Sequence, residues 1–117
     1  MSQIPIEENI RSISYAQDKV GIVTDNMEGG DPYRLRIYDR EGSPVFEKTF
    51  NYQYTGFDID GDLVLLYNDS SCKVYNMTGT EKYNGTFDFT VSKVSAGRFP
   101  GTLLVMGPQK MTEIKLQ

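Results

Sequence analysis

The sequence predicts an all-β chain made of repeated four-stranded units, and three observations support this prediction. Alternating or apolar runs of four to seven residues are separated by Gly, Asn, Asp and Pro, with no convincing helical stripe. The segment RIYDREG, residues 36–42, returns as KVYNMTG, residues 73–79, at an interval of 37 residues. Four strands fall within each interval. A fixed period near 40 residues with four strands per period is typical of the blades of a β-propeller.

The predicted strands fall into three repeats within one propeller module over residues 1–117. The repeats cover about residues 10–51, 54–88 and 91–117. Turn residues separate the strands: Asp60-Gly61 is a two-residue hairpin signal and Pro100-Gly101 a type II turn pair. The twelve predicted strands are residues 3–8, 10–16, 20–26, 33–39, 45–51, 57–59, 63–68, 72–76, 81–86, 91–96, 102–106 and 111–116.

The repeated segment has a structural explanation. Asp39 and Asn76 are expected to accept hydrogen bonds from the backbone of the turn that follows, and Gly42 and Gly79 to adopt a positive φ. The segment therefore predicts fold chemistry and no activity. The structural repeat comprises Arg36, Ile37, Tyr38, Asp39 and Gly42, with the counterparts Lys73, Val74, Tyr75, Asn76 and Gly79.

The third repeat keeps the interval at Lys110 and Met111 but contains only three predicted strands. The strand predicted at residues 3–8 precedes the first repeat and has the character of an outer strand, so we expect it to complete the last blade. Three blades cannot close a ring by themselves. Two alternatives follow: two copies pair into a six-bladed homodimer by exchanging this strand, or the chain is part of a longer propeller.

Composition excludes several function classes. The chain of 117 residues carries a net charge of −4, and its 12 basic residues are scattered, so no nucleic-acid footprint is present. With one Cys and no His, disulfides within the chain, His-dependent triads and most zinc sites are excluded. We expect no cofactor and no enzymatic activity.

The expected location depends on whether the chain stands alone. No run of about 18 apolar residues and no leader-like N-terminus is present, so a cytoplasmic location is the default. The location is extracytoplasmic if the chain is cut from an anchored envelope protein.

The segments IYDREGSPVF, residues 37–46, and VYNMTGTEKY, residues 74–83, resemble the blade motif of quinoprotein-like and WD-type β-propellers. They also resemble propeller domains of unknown function in envelope proteins of Gram-positive bacteria. The resemblance implies a propeller fold, and for the envelope proteins an extracytoplasmic location. No quinone or calcium ligand of the quinoprotein family has a counterpart here, and with no Trp and no His the aspartate network of WD repeats is absent.

A few residues suggest chemistry or binding. The acidic hairpin at residues 58–62, DIDGD, resembles a calcium loop, but it lacks the Gly and the bidentate acid that an EF-hand needs at its sixth and twelfth positions. Cys72 lacks a His to activate it. Tyr52 and Tyr54 in FNYQY are a candidate surface for a protein or carbohydrate ligand.

The sequence thus predicts a non-catalytic binding or scaffold propeller of unknown physiological role. The alternatives are a ligand-sensing part of an anchored envelope protein and a metal-dependent enzyme that uses residues 58–62.

Overall fold

A computed structural model describes residues 6–16 and 18–116. Within them the chain forms antiparallel strands joined by turns, in sheets of four, four and three strands. The all-β prediction is confirmed. The chain divides into two compact units between Tyr52 and Gln53. No helix in the described part of the chain is long and apolar enough to cross a membrane.

The first unit contains a four-stranded sheet in the order β1-β2-β3-β4. Valine, isoleucine and aromatic residues are frequent in its strands, and successive side chains point to opposite faces of the pleated sheet. We call the face with Val23, Leu35 and Ile37 its rear face and the face with Ile13 and Ile22 its front face; cross-strand pairing fixes both sets. The strands are β1 (Ile10–Tyr15), β2 (Lys19–Asp25), β3 (Tyr33–Asp39) and β4 (Pro44–Phe50).

The second unit contains a four-stranded second sheet, β5-β6-β7-β8, and a three-stranded third sheet, β11-β10-β9. The second-sheet strands are β5 (Gly56–Asp60), β6 (Leu63–Tyr67), β7 (Ser71–Asn76) and β8 (Glu81–Thr86). The third-sheet strands are β9 (Lys93–Ala96), β10 (Thr102–Met106) and β11 (Met111–Lys115).

The second and third sheets pack face to face around one hydrophobic core. The rear face of the second sheet contributes Leu65 and Val74, and the front face of the third sheet contributes Val94, Leu103 and Val105, all fully buried. Adjacent sheets in a propeller stack in this way, so the core of the second unit shows how a rear face of this chain covers a front face.

The first two sheets each have a turn of the same type after their third strand. The Asp39 Oδ1 atom accepts hydrogen bonds from the backbone N–H groups of Glu41 at 3.0 Å and Ser43 at 2.9 Å. The turn glycine, Gly42, has φ 85°, a left-handed conformation that favours glycine. A β-bulge follows in the pairing of β3 with β4.

The second copy of this turn has the equivalent side-chain hydrogen bonds and glycine conformation. Asn76 Oδ1 accepts from the N–H groups of Thr78 at 3.0 Å and Thr80 at 2.9 Å, and Gly79 has φ 81°. The pairing of β7 with β8 also has a bulge, where the register shifts between Val74 and Tyr75. The 37-residue interval between the first two repeats therefore reflects equivalent backbone geometry.

The third repeat departs from the interval. Lys110 lies in the turn before β11, where its carbonyl accepts from the Gly107 N–H at 2.7 Å, whereas Lys73 lies inside β7. The loop between β9 and β10, residues 97–101, is longer than the two-residue turn after Asp60. This extra length shifts the later strands, so Lys110 and Met111 do not occupy the strand positions of Lys73 and Val74.

The structure also differs from the strand predicted at residues 3–8, of which it describes residues 6–8. Ile6 to Glu8 form no strand in the single chain, because the Glu8 side chain is bound by the first sheet; residues 3–5 lie outside the described residues. The third sheet accordingly has three strands, and β11 is its outer one. Pairing of the N-terminal segment with another copy stays a prediction.

Candidate interaction site

The front face of the first sheet carries large apolar side chains that are open to solvent. Ile13 is 60% exposed and Tyr15 is 75% exposed, although both lie within the regular ladder of β1. Their cross-strand partners are Ile22 and Val20, and Ile22 is buried. Isolated exposed apolar residues are ordinary, but two neighbours on one sheet face form a patch.

The rear face of the third sheet carries a second apolar patch. Leu104 and Met106 lie there half-buried, and Met111, which pairs with Met106, is 62% exposed. The opposite face of the same strands is fully buried against the second sheet at Leu103 and Val105. The third sheet is therefore packed on one face and open on the other.

An ionic cluster holds Glu8 on the front face of the first sheet. Glu8 Oε1 lies 3.0 Å from Arg34 Nε and 2.7 Å from Arg36 Nη2, and the Thr24 hydroxyl donates to the same oxygen at 3.2 Å. Glu8 Oε2 accepts from the Met27 N–H at 2.8 Å. The Glu8 side chain is only 9% exposed.

These contacts keep Glu8 ionised. The Met27 N–H, and after it the Arg36 guanidinium, lower the pKa of the Glu8 carboxyl from its ordinary value of 4.5 to about 2. A carboxylate bound by two guanidinium groups and a backbone N–H is a structural anchor, because protonation would weaken these charge-assisted hydrogen bonds.

An open cleft of about 510 Å³ lies beside the anchor. Glu7, Met27 and Glu28 line it together with Glu8 and Arg36. Within the described part of the chain, the buried Arg36 Nε has no hydrogen-bond partner. Glu47 Oε1 lies 3.7 Å from Arg36 Nε, and Glu28 and Glu47 each lie 3.1 Å from the Arg34 guanidinium.

The acidic hairpin serves the fold. Asp60 Oδ2 accepts a hydrogen bond from the Ala96 N–H at 2.8 Å and so joins the second sheet to the third. A pocket of about 190 Å³ lies beside it, lined by Asp58, Asp60, Lys93 and others. Among the described residues no group of three or more Cys, Asp or Glu side chains could hold a metal ion.

Cys72 is fully buried in the core of the second unit. Burial raises the pKa of its thiol to about 12, so the reactive thiolate is not populated near neutral pH. Tyr52 and Tyr54 lie in the segment between β4 and β5, where both are half-buried.

Sequence reasoning missed the ionic cluster and the two open apolar faces. One signal was available: Arg34 and Arg36 alternate with apolar residues in YRLRIYD, which places both guanidinium groups on one face of β3. Their acidic partner was not identifiable, because Glu8 is 26 residues from Arg34 in the chain.

Repeated antiparallel sheets, a shared turn and face-to-face packing define this chain as a propeller-type repeat protein. A solved structure with the same fold is that of HIRA(644-1017), a β-propeller: the TM-score is 0.63 at 13% identity, over 94% of this chain and 35% of that chain. The chain thus spans about a third of that structure, and at this identity the likeness shows the fold alone. The computationally designed Ika4 protein, with TM-score 0.44 and 8% identity over 100% of both chains, is too distant to carry an argument.

The chain belongs to the family of unknown function DUF5711, whose model matches residues 1–116. No curated protein matches the sequence.

Proposed function

We propose that this chain is a non-catalytic binding or scaffold module of a β-propeller. The observation that carries the proposal is that the residues that could act in catalysis or metal binding have structural roles. Asp60 binds a backbone N–H, Glu8 is held by two arginines, and Cys72 is buried with a pKa of about 12. The open sheet faces carry exposed apolar side chains, Ile13 and Tyr15 on the first sheet and Met111 on the third, which suit recognition of another protein surface.

We further propose that the binding partner includes a second copy of the chain, in a six-bladed homodimer. Glu8 contacts Thr24, Arg34 and Arg36, all on the front face of the first sheet. Glu7 and Glu8 therefore lie at the face that carries the exposed patch. This geometry supports an exchanged N-terminal strand that pairs with the outer strand β11 of the other copy.

The acidic hairpin distinguishes this proposal from a metal-dependent enzyme. Thermal melting with and without millimolar calcium is measured for the natural chain, for Asp60→Ala and for the matched control Asp62→Ala, an exposed residue of the same hairpin. We expect calcium to leave all three melting temperatures unchanged. Asp60→Ala alone should lose stability, by about 1 kcal/mol, because the Ala96 N–H loses its partner. A calcium-dependent rise that Asp60→Ala removes would contradict the proposal.

The relationship to quinoprotein-like and Gram-positive envelope propellers is also a proposal, and the turn motif at residues 37–46 and 74–83 is its support. Fractionation of cells that express the complete gene tests it. Recovery outside the cytoplasmic membrane is expected for an envelope propeller, and recovery in the cytosol would contradict that placement.

A further inference from the structure

We infer that the front face of the first sheet is the docking surface for the rear face of the third sheet of a second copy. The inference rests on the homodimer proposed above and names the surfaces that form it. The packing of the second and third sheets within the second unit supports it.

The packed front face of the third sheet shows what a covered front face looks like in this chain. Of the residues of its inner strand that point to the front, Val94 belongs to the core and is 0% exposed, and Ala96 packs against that core. In the first sheet the inner-strand residues that point to the front are Ile13 and Tyr15, which are 60% and 75% exposed. The same positions are apolar in both sheets, and only those of the third sheet are covered.

The rear faces show the complementary difference. On the second sheet, Leu65 and Val74 point to the rear and are fully buried beneath the third sheet. On the third sheet, the rear face carries the apolar residues Leu104, Met106 and Met111, which remain partly or largely exposed. Polar residues border this patch on the same face, among them Lys93 and Glu113 in register with Met106 and Leu104. One chain therefore offers one open front face and one open rear face of the kinds that pack together within its second unit.

A second copy is the partner that supplies both missing surfaces at once. If the front face of each copy meets the rear face of the other, one two-fold axis generates both contacts. Charged groups border both patches. Glu47, which is ion-paired with Arg34 and Arg36, lies at the front, and Lys93 and Glu113 lie at the rear of the third sheet.

The test uses one charged substitution on each face. Ile13→Glu damages the front face and Met111→Glu damages the rear face, and each should raise the dimer dissociation constant by roughly 30-fold or more, because a carboxylate is placed in an apolar contact. Phe99→Glu is the matched control, since Phe99 is also 60% exposed but lies in the loop between β9 and β10. It should dimerise as the natural chain does.

Mixing the two variants separates this geometry from any other dimer. A mixed dimer of Ile13→Glu and Met111→Glu retains one undamaged contact, between the intact front of one chain and the intact rear of the other. Sedimentation equilibrium should therefore show monomers for each variant alone and dimers for the mixture. Far-UV circular dichroism confirms that each variant is folded, and Tyr15→Glu replaces Ile13→Glu if the latter is not.

The outcomes distinguish the two proposals. A natural chain that stays monomeric overturns the homodimer and this inference together. A dimeric natural chain whose variants dimerise equally well overturns only the assigned faces. A mixture that stays monomeric, like its components, overturns the front-to-rear pairing.

Discussion

Leu103 and Leu104 are neighbours on β10 that point to opposite faces of the third sheet. Leu103 is fully buried in the core shared with the second sheet and pairs across the ladder with Ala96 and Ile114. Leu104 points to the open rear face and is half-buried. Replacing each by alanine removes the same atoms from two different environments.

The expected costs differ because only one site is closed. Truncating a fully buried leucine costs about 2–5 kcal/mol, the sum of lost burial and the cavity that remains, so we expect about 3 kcal/mol for Leu103→Ala. Leu104→Ala leaves no closed cavity in the single chain and should cost about 1 kcal/mol or less. In the dimer the same substitution should weaken association.

Urea unfolding followed by circular dichroism measures the difference. Both substitutions are placed in the Ile13→Glu background, so that dissociation does not contribute to the midpoint. The linear slope is compared between variants to verify that each midpoint reports stability. Equal losses for the two leucines, or a larger loss for Leu104→Ala, would refute the assignment of the packed and open faces.

Three further predictions concern the turn, the anchor and the thiol. Gly42→Ala and Gly79→Ala should each lower the free energy of unfolding by about 1 kcal/mol, because the two glycines have φ of 85° and 81°. Gly79→Asn should lose less stability than Gly79→Ala. Unchanged urea midpoints for the alanine variants would contradict the turn geometry. The pKa of Glu8 is about 2 in the folded chain and ordinarily 4.5, so the Glu8 carboxylate should stabilise the fold fully above pH 4.5 and lose this effect as the pH falls to 2. The Glu8→Gln variant should lack this pH dependence. An NMR titration midpoint near 4.5 for Glu8 would contradict the anchor. A thiol reagent at pH 8 should label Cys72 only after unfolding, and rapid labelling of the native chain would contradict its burial.

Local chemistry explains what could be predicted from the sequence. The turns after Asp39 and Asn76 depend on a side-chain acceptor and a glycine within four residues, so their geometry follows from the segment itself. The strands follow from apolar alternation between such turns. For the same reason the three-sheet architecture was accessible without knowledge of tertiary contacts.

What could not be predicted depends on contacts between distant residues. The segment 3–8 has a strand-like pattern, but the charge of Glu8 is satisfied by Arg34 and Arg36, so Ile6 to Glu8 form no strand in the single chain. Likewise, alternation places Ile13 on one face of β1, but it does not reveal whether another sheet covers that face. Exposure is a property of the packed molecule.

The central claim is that the two open apolar faces bring two copies together, and sedimentation equilibrium of the natural chain over a wide concentration range tests it most directly. The account predicts a mass of twice the 13.3 kDa of one chain, with dissociation only on dilution. A constant mass of 13.3 kDa at every concentration, with the β-sheet signal intact, would contradict it.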